Sequence, residues 1–307
     1  MLDYHLHLWP HGRRAEGETV ERLAGYCEQA AAAGVTEIAV TEHLFRFAQA
    51  DAVLGGFWDD DPDPALRATM AAYWAGHARE DLDAYVQAGL AAKAAGLPVV
   101  LGLEVDHYAG RMDAVAGLLA GYPFDVLLGS VHWIGAWGFD DYEDAVVAGE
   151  WDRRGTEEAW RGYTAALEEL AASGVCDVLA HPDLCMVTGR FPAVPGEFYD
   201  RMAEAASASG MAAEVSSAGW RKPAGRAYPA PELLARFAAR GVAVTTASDA
   251  HTRPDVAHRA ADLRALVAGA GYTEVTAFRE RRRRPVPLTA GVAPGAGPTS
   301  PAGRGGP

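Results

Sequence analysis

Seven short runs rich in Val, Leu, Ile and Ala recur along the chain, near residues 2–7, 35–41, 98–104, 125–131, 176–181, 211–215 and 242–248. Each is too short for a helix and is bounded by Gly, Pro or polar turns, so each is predicted to be a buried strand. Between most of them lie stretches rich in Ala, Leu and Glu, such as "ETVERLAGYCEQAAAAG" and "TEEAWRGYTAALEELAASG", long enough for a helix and ending at a Gly suited to the position after a helix. Strands alternating with helices predict parallel βα units. The repeat count is close to that of a closed barrel, whose active site lies beyond the C-terminal ends of its strands. An open doubly wound sheet is the alternative. Residues 45–80, with "FWDD" and "DDDPDP", are too long for a simple connection and are predicted to be an insertion that covers a site. One barrel domain over 1–285 is expected. From 286 to 307 the chain has too few bulky apolar residues to offset ordering entropy, which predicts a disordered tail.

Length and composition agree with one large α/β domain, since the chain has 307 residues of which 50% are apolar. No apolar run reaches the roughly 18 residues of a membrane span. The first residues also lack a basic segment followed by an apolar one, so neither a span nor a signal peptide is expected and the protein is predicted to be cytoplasmic. Cys27, Cys176 and Cys185 show no CxxC spacing and are expected to be reduced core residues. The formal charge of −14 opposes binding of nucleic acid. Only "RERRRRP" offers a basic patch, and such a run is expected to be a solvated helix end followed by a break.

Nearly every predicted strand ends in an imidazole or a carboxylate. The first ends in His5 and His7 with His11 just beyond, the second in Glu42 and His43, the third in Glu104 and Asp106, and the fourth in His132. The fifth ends in His181 and Asp183, the sixth in Glu214, and the seventh in Asp249 and His251. A lone His at a strand end is more often a hydrogen-bonded core or loop residue than a ligand. Seven of the ten histidines fall there together, however, and burying so many titratable groups without a metal would be costly. His5 and His7, two apart, share one face of a strand. Mixed imidazole and carboxylate donors suit zinc, iron or manganese, and the number of donors exceeds one tetrahedral shell, so two or three divalent ions are expected. Ions about 3.5–4 Å apart clamp the attacking and leaving oxygens of a phosphoryl displacement, which points to hydrolysis of a small-molecule phosphate ester.

The stretches "DYHLHL", "TEHL", "GLEVD", "GSVHWIGAWGFD", "AHPDL", "EVSSAGWRKPAGRAYP" and "ASDAH" occur in the order seen in the polymerase and histidinol phosphatase superfamily, and over about residues 2–285 the chain resembles it. "GSVHWIGAWGFD" and "SSAGWRKPAGRAYP" look like its monofunctional histidinol-phosphate phosphatase branch. Trp220, where that branch commonly has leucine, and Ser217 and Ala218 depart from the pattern without touching an expected ligand. The resemblance implies a distorted seven-stranded, TIM-like βα barrel holding three divalent ions. It places His5, His7, Glu104 and Asp249 on the first, Glu104, His132 and His181 on the second, and His11, His43 and His251 on the third. Every expected metal position carries a competent ligand. Arg221 in "GWRKP" is the candidate phosphate clamp, with Arg190 a second. Asp249, His251 or a metal water is the expected acid for the leaving oxygen. Asp183, Glu214 and Asp106 are strand-end acids available to an amino alcohol, while Asp3 and Asp106 are expected to orient ligand histidines.

Three other readings compete. A nucleotide phosphatase or 3′ to 5′ exonuclease of the same superfamily would share the ligands, but the chain lacks the basic and aromatic track a single-strand groove wants. A non-catalytic metal scaffold would favour closed, cysteine-rich sites. A hydrolase built on Ser130 or Ser216 would need a GxSxG elbow that neither serine has.

Overall fold

The computed structural model describes residues 1–10 and 20–288. All seven expected strands form: β1 (Leu2–Leu6), β2 (Glu37–Val40), β3 (Val99–Asp106), β4 (Val126–Ser130), β5 (Val178–Leu179), β6 (Ala212–Ser216) and β7 (Val244–Ala247). They lie side by side in chain order, every pair parallel, with the longest ladder running from Gly102 opposite Val126 to Asp106 opposite Ser130. All residues of β1, β3, β4, β6 and β7 are buried, which is why these strands read as unbroken apolar runs. Gly102 is needed in β3 because a Cβ there would come within 2.6 Å of the Val126 carbonyl oxygen.

In an open doubly wound sheet, first and last strands would lie apart. Here Leu6 bridges Ala250 in parallel fashion beyond the end of β7, the His7 amide donates to the Ala250 carbonyl at 2.8 Å, and Thr246 Oγ1 donates to the Leu2 carbonyl at 2.7 Å. The sheet is therefore a nearly closed barrel wrapped by helices. The helix Thr156–Ser173 turns Trp160, Tyr163, Leu167 and Leu170 inward at helical spacing and stops at Gly174, whose φ of 68° only glycine adopts cheaply. No helix among the described residues is long and apolar enough to cross a membrane.

Two regions differ from expectation or add to it. The arginine run is not a helix end: it forms the turn and second strand of a hairpin, β8 (Glu274–Arg279) and β9 (Arg282–Pro287), that seals the barrel's N-terminal end. Phe278 N donates to the Tyr4 hydroxyl at 3.1 Å and Glu280 N to Asp125 at 3.1 Å, while Arg284 pairs with Glu37 at 2.9 Å. Carboxylates at the strand starts thus absorb the positive charge. β9 carries the ordered chain past residue 285, and residues 289–307 of the expected tail lie outside the described residues.

Residues 45–80 build the helices Ala48–Leu54 and Pro64–His77. Asp63 caps the second by accepting from the Ala65 and Leu66 amides, with Pro64 in the first turn. Asp61 ties this segment to the loop after β4 through the Ala136 amide at 2.9 Å. Thr69, Met70, Tyr73 and His77 of the second helix consequently line the cavity at the C-terminal mouth of the barrel.

Candidate metal centre

The strand ends converge on the Glu104 carboxylate. One oxygen, Oε2, lies 2.8 Å from His43 Nδ1, 3.1 Å from His5 Nε2 and 3.5 Å from His7 Nε2. The other, Oε1, lies 2.9 Å from His181 Nε2 and 3.4 Å from His132 Nε2. Asp249 closes the group, its Oδ1 3.4 Å from His7 Nε2 and 3.6 Å from His251 Nδ1. The His7 ring stacks between those of His43 and His251, with centroids 4.2 and 4.1 Å away. His11 lies outside the described residues.

Burial would raise the Glu104 carboxyl, but the imidazoles of His5, His43 and His132 outweigh it and hold it well below the usual carboxylate range. Burial would likewise raise Asp249, and His5, His7 and His251 hold it down. Burial lowers His132 while Asp106 and Glu104 lift it to about 10.

The donor set fits divalent cations better than protons. The Nε2 atoms of His5 and His7 face one another at 3.1 Å, a contact in which both cannot carry hydrogen without clashing. His181 Nδ1 and Glu214 Oε1 are buried without a hydrogen bond. Four triads each present ligand atoms within 4.8 Å of one another: His7, His43 and His251; His5, Glu104 and His181; His5, His7 and Asp249; His43, Asp106 and His132. His43 and His251 thus group with His7, while Glu104 reaches two sides of the cluster.

Buried acids fix the imidazoles from behind. Asp106 accepts from His132 Nδ1 at 2.6 Å, as expected. Glu214 is 2.8 Å from His5 Nδ1, so this strand-end acid faces a ring in the barrel interior and not the substrate cavity. Among the described residues, Asp3 touches no imidazole nitrogen. It accepts from Ser248 N, Ser248 Oγ and Ala257 N at 2.6, 2.7 and 2.7 Å, pinning the backbone that carries Asp249. Glu42 accepts from the Leu8 and Trp9 amides and so holds the loop after β1. Both Asp249 and His181 have positive φ, 51° and 25°, a cost that non-glycine residues bear mainly where side-chain direction matters.

The other expected substrate contacts divide. Arg221 Nη2 donates to the Ser248 and Asp249 carbonyls at 2.8 and 2.9 Å, beside the ligand loop, although Arg221 is not itself among the residues that line the cavity. Arg190 pairs with Asp152 at 2.8 Å over the Trp151 ring and does not line the cavity. Asp183 is buried, accepts from the Ala230 amide at 2.7 Å and does not line it either. A strand-end position selects the mouth of the barrel but not which way a loop then turns its side chain. The three cysteines are buried and free, and burial pushes Cys27 up to about 11 and the other two higher still, so they persist as thiols.

The cavity above the cluster holds about 530 Å³. Sequence reasoning passed over four of its charged residues: Asp140, Asp141 and Glu143 on the loop after β4, and Lys222 beside Arg221. Their signal was the acid density of "GFDDYED" directly after His132.

A family model described as PHP domain matches residues 5–218. The chain is 37% identical over 190 residues to the probable histidinol-phosphatase of Deinococcus radiodurans, covering 62% of this chain and 71% of that protein. Its fold is similar to that of the histidinol phosphate phosphatase of Lactococcus lactis solved with zinc, L-histidinol and phosphate, at 21% identity and a TM-score of 0.65, covering 92% of this chain and 98% of that one. The putative histidinol phosphatase of Listeria monocytogenes is similar at 18% identity and a TM-score of 0.67, over 85% and 99% of the two chains.

Proposed function

Because this chain belongs to the PHP domain family, we propose that it is a metal-dependent phosphomonoester hydrolase that converts L-histidinol phosphate and water to L-histidinol and phosphate. The observation that carries the reading is the Glu104 carboxylate, buried at the centre of five imidazoles at the foot of a substrate-sized cavity. The family relationship and the similarity to the probable histidinol-phosphatase of Deinococcus support this choice of ester.

His5, His7, Glu104 and Asp249 would hold one ion, Glu104, His132 and His181 a second, and His11, His43 and His251 a third. Bound divalent ions supply Lewis-acid polarisation of phosphate oxygens and a water that is nucleophilic near neutral pH. The rest falls to the protein. Glu104 presents one oxygen to each side of the cluster and so keeps the two groups of imidazoles in register. Asp106 and Glu214 fix the rings of His132 and His5, and the Asp3 staple fixes the loop of Asp249. Arg221, anchored beside Asp249, is the guanidinium we assign to the phosphate. Met70, Tyr73 and Trp133 wall the cavity with apolar surface, which lowers the local dielectric and strengthens each charge interaction below them.

Elemental analysis of the purified protein, paired with phosphate release from L-histidinol phosphate in Mn²⁺ or Zn²⁺, tests the proposal. The expected result is more than one divalent ion per chain and turnover abolished by exhaustive chelation. Faster release from nucleoside monophosphates or a short oligonucleotide would assign the site to a different phosphoesterase.

A further inference from the structure

We infer that the loop acids Asp140, Asp141 and Glu143, together with the Tyr228 hydroxyl, form a part of the cavity that selects a positively charged organic group on the substrate. The inference rests on the phosphatase reading above and adds the chemistry of the group attached to the phosphate.

All four residues line the same cavity as Asp249 and His251. Asp140 is half-buried, and among the described residues none of the three acids makes a side-chain hydrogen bond or ion pair. Lys222 is the one lysine on that wall, so three carboxylates face one ammonium. Burial and the neighbouring Asp140, Asp144 and Glu143 raise the Asp141 carboxyl, against a lowering by Lys222. Negative charge therefore outnumbers positive on this wall, with Lys222 offsetting part of it and Asp141 and Glu143 exposed to solvent.

Tyr228 is an independent sign of a missing ligand. Its side chain is fully buried, its oxygen has no hydrogen-bond partner, and its ring lies 6.3 Å from that of His181. Burial first, and then Asp183, Asp249 and Asp140, keep the phenol protonated. A buried hydroxyl left unsatisfied is a cost that a ligand polar atom would remove. Tyr73 and Trp133 on the same cavity add aromatic surface of the kind that attracts a cation. An ammonium or imidazolium linked to the phosphate ester satisfies all of these groups at once. An ester whose organic half is neutral or anionic could meet the Tyr228 hydroxyl but brings no positive charge to the three carboxylates.

The test compares L-histidinol phosphate, O-phosphoethanolamine and p-nitrophenyl phosphate on the metal-loaded wild type, Asp140→Asn and Tyr228→Phe. Calorimetric binding of L-histidinol and of inorganic phosphate is measured alongside. The expected result is that Asp140→Asn lowers kcat/KM at least tenfold more on the two cationic esters than on p-nitrophenyl phosphate. It should also weaken L-histidinol at least tenfold while phosphate binding shifts under threefold. Tyr228→Phe should weaken L-histidinol with no fall in Tm, since no bond is lost in the free protein. Equal losses on all three esters, or unchanged L-histidinol binding in Asp140→Asn, would overturn the inference. If the wild type ignores L-histidinol phosphate but cleaves the other two esters, the substrate assignment fails while their comparison still judges Asp140. If no ester turns over, the binding measurements decide.

Discussion

Asp3→Ala separates what the first strand does for stability from what it does for the metal centre. The Asp3 carboxylate is 1% exposed and accepts from Ser248 N, Ser248 Oγ and Ala257 N, all at 2.7 Å or less. Truncation strands three donors in a dry interior. At about 1–2 kcal/mol for each unsatisfied group, the loss comes to about 3–6 kcal/mol, a large part of the roughly 5–15 kcal/mol that holds a typical domain folded. At about 2 °C per kcal/mol for a chain of this size, Tm should fall by about 6–12 °C. The residue after Ser248 is Asp249, so loosening this staple should also weaken metal retention without deleting a ligand. Urea unfolding of the chelated protein reads the first effect, and residual metal after dialysis against a weak chelator reads the second. A variant within 1 kcal/mol of wild type would refute the hydrogen-bond accounting. A destabilised variant that retains its full metal complement would refute the link from Asp3 to Asp249.

Glu104→Gln keeps the shape of the bridging group but removes its charge, so bound metal should drop by at least one ion per chain and phosphatase turnover by a hundredfold or more; elemental analysis and initial rates check both. Asp106→Asn should leave the fold intact while lowering metal affinity about 10–100-fold, because it loosens His132 without removing it; a competition titration with a chromophoric chelator measures this. Arg190→Ala should keep kcat/KM within about twofold of wild type, since its partner is Asp152 at the surface and not the cavity; a tenfold loss would restore it as a phosphate contact. Burial holds the His77 imidazole below its ordinary range, against the opposing bond of its Nδ1–H to the Tyr73 carbonyl at 2.7 Å. A depressed pKa means that the unfolded chain takes up the proton first, so this contribution is complete above about pH 6.5 and drains away as pH falls. His77→Asn, which can still donate to Tyr73, should therefore show a shallower loss of urea midpoint between pH 7 and 5 than wild type.

Which parts of this molecule could be read from the chain depended on how local their physics is. A strand buried on both faces must be apolar at successive positions, so β1 to β7 announced themselves, and parallel strands placed their polar last residues at one mouth before any coordinate was known. That is why His5, His43, Glu104, His132, His181, Asp249 and His251 were found as a group. What surrounds them is set by longer-range geometry. Glu214 and Asp183 ended their strands as legibly as Glu104 does, yet one faces the back of His5 and the other an amide near residue 230, choices made by barrel twist and loop direction. The arginine run was misread because its neutralising carboxylates, Glu37, Asp125 and Asp177, lie from about 100 to 250 positions upstream and meet it only once the barrel has closed. A metal cluster built from strand ends is dictated by the barrel itself, whereas the walls that meet the organic half of an ester come from the helix Pro64–His77 and the loop after His132, joined by Asp61 and Ala136. Chemistry is thus written on the strands and selectivity on the segments between them. Substitutions in residues 64–77 and 138–143 should therefore change which phosphate ester is preferred while leaving metal content at its wild-type value.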